Sequence, residues 1–316
     1  MKQDQPTDQH KPDPGIRIAW WNTGLSPTRA PDRASEADFR TAAGVLRHLI
    51  SKTKAQVIVL GEMATTSVAL LRRACPIAER LYEWIEAFQS AGKSRFSVCI
   101  LSRKKRLKVT FEEIITHVRD GRVSRIGQHF IAIPHSGPPI HVIASHWPGR
   151  LHLHRSDSFR THIAAHLREW IDRHPLATDS KENVVLLGDF NDEPFDEGVE
   201  HYLKASRDSE RVRQVPSLFY NPFWRHMSSF GRENEQGRAY DCGTYFHAGG
   251  ILTRWRTFDQ MIFSSALLFG RSGWRLNEAH THVVQIPDFK GVVTSSTSFF
   301  DHLPIIGHLE RSDSNA

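Results

Sequence analysis

The run Val184-Val185-Leu186-Leu187-Gly188-Asp189-Phe190-Asn191-Asp192 decides how the rest of the chain reads. Four aliphatic residues in a row fit a short strand buried on both faces, and the glycine and polar residues that follow mark its end. The same grammar recurs outward in both directions. Ile18-Ala19-Trp20-Trp21 is followed by Asn22, and Val57-Ile58-Val59-Leu60-Gly61 by Glu62. Ile143-Ala144-Ser145 leads to His146, Arg256-Thr257-Phe258 to Asp259, and Phe299-Phe300 to Asp301-His302. An open α/β architecture collects side chains from distant segments at strand ends, so these residues are candidates for one cleft. Each alone has a plain structural reading. Asn22 fits a turn, Glu62 or Asp189 a helix cap, and His146 a hydrogen-bonded interior histidine.

Strands are expected over residues 16–21, 56–60, 96–101, 140–145 and 184–187, and again near 257–263, 282–286 and 305–309. Between the first two, Phe39, Ala42, Ala43, Leu46, Leu49 and Ile50 recur at helical spacing over 36–51. A second helix is expected over 156–173, with Phe159, Ile163, Ala164, Leu167 and Trp170 on one side. Residues 106–133 read as two or three antiparallel strands turning at Asp120-Gly121. Strands interleaved with a few helices, with hairpins beside crossovers, predict a mixed α/β sandwich rather than a purely parallel sheet. Residues 205–240 read as a long functional loop.

The chain has 316 residues, 39% hydrophobic and 24% charged, which is enough for a large core. It is read as one domain over 16–310, with a polar, Pro-rich lead-in over 1–15 and a disordered tail over 311–316. It has no long apolar run and no apolar leader segment. Its three cysteines are scattered. An intracellular, cytoplasmic protein is therefore expected, with no membrane partner and no indication of a protein partner. A net charge of +6 is compatible with a polyanion. The sharpest local feature is Arg103, Lys104, Lys105, Arg106 and Lys108, read either as a solvated hairpin turn or as a phosphate-contacting loop.

Carboxylates with amide and imidazole neighbours suit the hydrolysis of a phosphodiester. Magnesium takes hard oxygen ligands, commonly one or two carboxylates completed by water and substrate phosphate. Glu62 and Asp301 suit that metal, Asn22 and Asn191 suit orientation or phosphate contact, and His302 with Asp259 suits a base and its orienter. The signatures of serine hydrolases, P-loops, zincins and CxxC sites are absent.

Trp21-Asn22, Gly61-Glu62, Ser145-His146-Trp147-Pro148, Gly188-Asp189-Phe190-Asn191, Phe258-Asp259-Gln260 and Asp301-His302-Leu303-Pro304 together resemble the ordered motif set of the endonuclease/exonuclease/phosphatase superfamily. Ser145-His146-Trp147-Pro148-Gly149-Arg150, with Gly243-Thr244-Tyr245, resembles a bacterial branch written His-Trp-Pro-Ser-Arg. The resemblance implies a four-layer α/β sandwich with two facing mixed, largely antiparallel sheets and a magnesium or manganese site at their shared edge. It implies Glu62 as metal ligand, Asn22 in the ligand sphere and Asp301 as a further carboxylate near the metal. Asp189 would orient or deprotonate water, Asn191 would contact phosphate, and Asp259 would fix the ring of His302. His302 would bond the scissile phosphate or transfer a proton, and which of Asp189 or His302 takes that proton stays open. His146 corresponds to a second histidine that deoxyribonuclease-like members carry.

Three positions depart from the pattern. Gly61 stands where glutamine is usual, Phe300 where serine is common, and Gln56 where aspartate often begins the strand. Arg150 and Arg160 are candidate phosphate contacts, as are Lys104 and Lys105, while Arg155 fits helix pairing equally well. The expected function is a metal-dependent nuclease acting on DNA or RNA. The alternatives are a phosphatase or phosphodiesterase on a small or lipid phosphate ester, and a non-catalytic nucleic-acid-binding member. Trp147, Phe219, Tyr220, Phe223 and Trp224 are read either as base-stacking residues or as core.

Overall fold

The computed structural model describes residues 15–27, 30–88, 98–119, 121–149, 158–174, 176, 181–228 and 242–312. The lead-in expected over 1–15 lies outside them except for Gly15, as does the tail beyond residue 312. In the first half of the chain the strands are β1 (Ile16–Asn22), β2 (Val57–Gly61), β3 (Tyr82–Glu86), β4 (Cys99–Arg103), β5 (Leu107–Arg119), β6 (Arg122–Pro134) and β7 (Ile140–His146). In the second half they are β8 (Val184–Asp189), β9 (Ala205–Ser206), β10 (Phe219–Tyr220), β11 (Tyr245–Phe246), β12 (Trp255–Arg256), β13 (Asp259–Ser264), β14 (Trp274–Leu276), β15 (His282–Val283) and β16 (Ile305–Arg311).

One sheet runs β14-β16-β1-β2-β4-β3, with β15 added to β16, and the other runs β5-β6-β7-β8-β13-β10-β9. Pairing is antiparallel except for β1 with β2, β7 with β8 and β9 with β10. With its helices this is the four-layer α/β sandwich, built on two mixed, largely antiparallel sheets. Every residue of β8 is buried, as the unbroken apolar run requires of a central strand covered on both sides.

Helix α1 (Glu36–Ser51) starts on a capping box. The Ser35 amide donates to Asp38 Oδ2 at 2.8 Å, and the Asp38 amide donates to Ser35 Oγ at 3.4 Å. Its buried face, Phe39 through Ile50, joins the main core with both inward sheet faces. On the outer side of the second sheet, α4 (Ser158–Arg173) packs Ile163, Ala164, Leu167 and Ile171 on Ile143, Val184 and Leu186. Between these lie α2 (Thr65–Ala74), α3 (Pro76–Leu81) and β3, which the sequence pattern does not announce. The strand expected over 96–101 begins at Cys99 and runs to Arg103, with residues 96 and 97 outside the described set. The described part of 205–240 is not one loop. It holds β9, a helix at Ser209–Gln214, β10 and a 3₁₀ turn at Pro222–Met227.

Candidate active site

Strand direction explains where the polar residues meet. The parallel pairs set Asn22 beside Gly61 and His146 beside Asp189, and the antiparallel β13 sets Asp259 beside Asp189. Five segments thus end at one edge of the sandwich, and His302, just before β16, arrives at the same edge. The Trp21 indole fastens it by donating to the His302 carbonyl at 3.1 Å.

Asn22 is 3% exposed and its Nδ2 bridges two acids, lying 3.1 Å from Asp189 Oδ2 and 3.4 Å from Glu62 Oε1. His146 Nε2 stands 3.5 Å from Asp189 Oδ2 and 3.9 Å from Glu62 Oε1. The Asn191 amide donates to Asp189 Oδ1 at 2.9 Å, which fixes the carboxylate from its other side. Asn191 Nδ2 donates to the Trp147 carbonyl. Glu62 and Asn191 both hold positive φ, 53° and 50°, a conformation that non-glycine residues keep only where surroundings enforce it. Gly188 has φ 152°, and a Cβ there would lie 1.7 Å from the Ser145 carbonyl oxygen, so only glycine lets β8 deliver Asp189 against β7.

Asp259 is fully buried and both of its oxygens are engaged. Oδ2 meets His302 Nδ1 at 2.7 Å, and Oδ1 accepts from Trp20 Nε1 at 2.7 Å. The other ring nitrogen, His302 Nε2, faces Asp189 Oδ2 at 3.7 Å and Asp301 Oδ1 at 3.8 Å. Burial pulls the His302 pKa down, but the charges of Asp259, Asp189 and Asp301 outweigh it and hold the ring well above its ordinary value. Asp301 is pushed up to about 6, by burial first and then by Glu62 and Asp189, against the opposing pull of His302 and Arg33.

Asp189, Asp259 and His302 bring ligand atoms within 4.8 Å of one another. Asp259 is nonetheless committed to Trp20 and His302, so this trio offers a cation no open carboxylate at Asp259. The donors that fit a hard divalent cation are the neighbouring Glu62 and Asp301 carboxylates, with Asn22 positioning Glu62. Crowded acids, one of them with a raised pKa, are a charge arrangement that a cation relieves.

Sequence reading missed two participants. Trp20 reads as core by its place in an apolar run, yet it anchors Asp259. The departure at Gly61 belongs to the same contact, because a Cβ at Gly61 would meet the Trp20 ring at 2.7 Å. Tyr245 packs tilted against His302 with ring centroids 4.7 Å apart, and its phenol pKa is raised by burial and by Asp301, Asp189 and Glu62. The Gly-Thr-Tyr motif was its signal.

Other candidates fall elsewhere. Arg160 is 1% exposed and braces the loop after β8, with Nη1 3.0 Å from the Asn191 carbonyl and 3.2 Å from Asp192 Oδ1. Lys104 and Lys105 form the turn after β4, which the Arg103 amide ties to the Gln56 carbonyl at the start of β2, the end opposite Glu62. Arg150 and Arg155 lie outside the described residues. Trp147, Phe219, Tyr220 and Phe223 are buried, and Trp224 is partly exposed beneath the Arg207 guanidinium at 4.6 Å. The first four belong to the core. Among the described residues no helix is long and apolar enough to cross a membrane.

The model of the endonuclease/exonuclease/phosphatase family matches residues 33–291. No curated relative matches the chain in sequence. Among solved structures, the human nocturnin catalytic domain with bound sulfate superposes with a TM-score of 0.58 at 14% identity, covering 95% of each chain. D. rerio TDP2 complexed with a single-strand DNA product gives 0.55 at 18% identity, covering 94% of this chain and 100% of that one. A family protein from Bacteroides thetaiotaomicron gives 0.55 at 12% identity, covering 96% and 100%. These likenesses show the shared fold. Members of the matched family hydrolyse phosphoester bonds, generally with a divalent metal, and this chain belongs to the endonuclease/exonuclease/phosphatase family.

Proposed function

We propose that the protein is a divalent-metal-dependent phosphodiesterase that hydrolyses nucleic acid by attack of water on the phosphate. The observation that carries this reading is the Asp259–His302 pair, at 2.7 Å, with the other ring nitrogen turned toward Asp189 and Asp301. A bound magnesium or manganese ion, held by Glu62 and Asp301, would neutralise charge on the phosphate oxygens. Asp189, fixed by Asn22 on one oxygen and the Asn191 amide on the other, orients the water and accepts its proton. His302, aligned by Asp259, donates a hydrogen bond to the phosphate and stabilises its added charge. His146 Nε2 lies 3.5 Å from Asp189 Oδ2, the oxygen that His302 also faces, and is a second donor to the substrate. Asn191 adds a phosphate contact.

A nucleic-acid substrate is favoured by the net charge of +6 and by the likeness to a TDP2 structure holding single-strand DNA. The test is incubation of purified protein with labelled single- and double-stranded DNA, RNA and bis(p-nitrophenyl) phosphate, each with magnesium, manganese or chelator. Cleavage of a polynucleotide that chelator abolishes is the expected result. Turnover of the small diester alone would move the reading to a small phosphate ester.

A further inference from the structure

Arg125 on β6 is 5% exposed, and among the described residues its buried Nε and Nη1 have no hydrogen-bond partner. Buried polar atoms are nearly always paired, and an unpaired buried charge is strongly destabilising, so such a side chain needs a reason. Burial lowers its pKa, and among the described residues no carboxylate acts against that shift. It is the opposite case to Arg160 and Arg168, which are buried against Asp192 and Asp172.

The sheet register places it at the catalytic edge. Gln128 pairs with Ala144, and Ser145 Oγ donates to the Ile126 carbonyl at 2.5 Å, so Arg125 lies near the His146 end of the neighbouring strand. His117 pairs with Ser124 and stacks on His166 of α4, which marks the outer face. Arg125, the next residue, pairs with Thr116 and points to the other face, the one that carries Asp189. A register shift between Ile115 and Thr116 lets Ile126 stay with the outer cluster beside Ile115 while Arg125 turns inward. β6 lies two strands from β8, so Arg125 stands about 10 Å from Asp189 along the sheet. That backbone spacing sets the root of its side chain beside the catalytic residues, where an anionic group next to the phosphate being cut would lie.

We propose that Arg125 forms an anion subsite that binds a second phosphate of the substrate, beside the one that is hydrolysed. A guanidinium with unpaired donors matches phosphate oxygens in a planar, bidentate contact, and the desolvation that costs stability in the free protein strengthens that contact when the anion arrives. The proposal rests on the phosphodiesterase reading for its catalytic meaning but not for its binding test.

That test is calorimetric titration of Glu62→Gln protein, with and without an added Arg125→Met change, using thymidine 3′,5′-bisphosphate and each thymidine monophosphate. In the presence of Arg125 the bisphosphate should bind at least tenfold more tightly than either monophosphate. Arg125→Met should bring the three ligands within about twofold of one another, and Arg125→Lys should restore part of the difference. The Met variant should also melt at a higher temperature than its parent, since it removes the unpaired charge. A bisphosphate advantage that survives in folded Arg125→Met protein would overturn the subsite. So would the absence of any such advantage before the change. If the binding difference holds while no phosphodiester is cut by the unmutated enzyme, the subsite stands and the catalytic reading falls.

Discussion

At one end of the two sheets the chain gathers Glu62, Asp189, Asp259 and Asp301 around His302. At the other it places the basic turn at Lys104-Lys105 and, on the outer face, a pair of histidines, His129 buried and His141 half-buried. His129 Nε2 and His141 Nδ1 are 2.9 Å apart there, with Glu182 3.5 Å from His141. Burial opposes the charged imidazole in both places, yet the outcomes are opposite. Three carboxylates raise His302, whereas His129 falls to about 4 through burial and the neighbouring His141. The partners, not the depth, decide the charge a buried histidine carries. The proposed acid–base work therefore falls at the first end, and at the second burial favours the neutral imidazoles.

The hardest blow to that contrast would fall on the dyad. His302→Ala and Asp259→Ala should each lower kcat/KM by about 10²–10⁴-fold, the range for positioned acid–base groups. The double change should add little to the worse single one, because a ring and its orienter act as a unit. Strict additivity in kinetics on a phosphodiester would separate the two residues. Next comes Glu62→Gln, which removes one negative oxygen from the cation's donors while keeping the side chain's shape. Activity should drop by about a hundredfold or more, above what residues behind the ligands cost when changed. A folded variant with near-normal magnesium-dependent turnover would remove Glu62 from the metal site.

The far-end histidines sharpen the contrast through stability. His129 binds its proton near pH 4 when folded and near 6.5 when unfolded. Between those values the unfolded chain holds more protons, so stability rises with pH in that window. It is fully present above about 6.5 and is lost as pH falls toward 4, by up to about 3 kcal/mol. Urea melts of wild type and His129→Gln at pH 7.5, 5.5 and 4.5 read this directly. The variant should lose less between the first and last pH, and an equal loss would show that His129 does not set the acid response.

Much of this division was legible in the chain before any pairing was known. Apolar runs closing on Asn22, Glu62, His146, Asp189 and Asp259 mark one edge, because strand ends and side-chain types are local properties. What stayed hidden depends on which strands pair and in which direction. Trp20 reads as core until β13 sets Asp259 within 2.7 Å of its indole. Arg160 reads as a candidate phosphate contact, and nothing local to it announces the ion pair with Asp192, far along the chain. Arg125 carries no motif at all, and its inward turn follows from a register shift that periodicity does not reveal. The helices α2 and α3 are too short for a periodic signal to stand out.

The smallest effect is expected at the basic turn, where sequence reading left a solvated hairpin and a phosphate-contacting loop as equals. Antiparallel pairing of β4 with β2 sets Val57 against Ser102 and Leu60 against Cys99, so the chain leaves β4 at the end where β2 begins. Glu62 lies six residues beyond Gln56, roughly 20 Å at strand rise. That exceeds the Debye length of about 8–10 Å at ordinary ionic strength. Lys104 is also occupied, its Nζ donating to the Glu79 carbonyl at 3.1 Å. If both lysines neutralised backbone phosphates of duplex DNA, changing both to alanine would flatten the slope of log K against log salt by about 1.8. The geometry predicts instead an unchanged slope and a stability change within about 0.5 kcal/mol, as for surface positions without special contacts. Binding is measured on Glu62→Gln protein so that the nucleic acid survives the titration. A slope flattened by more than about one would mean that a polynucleotide wraps from the catalytic edge to the opposite end, and the two ends would then serve one substrate.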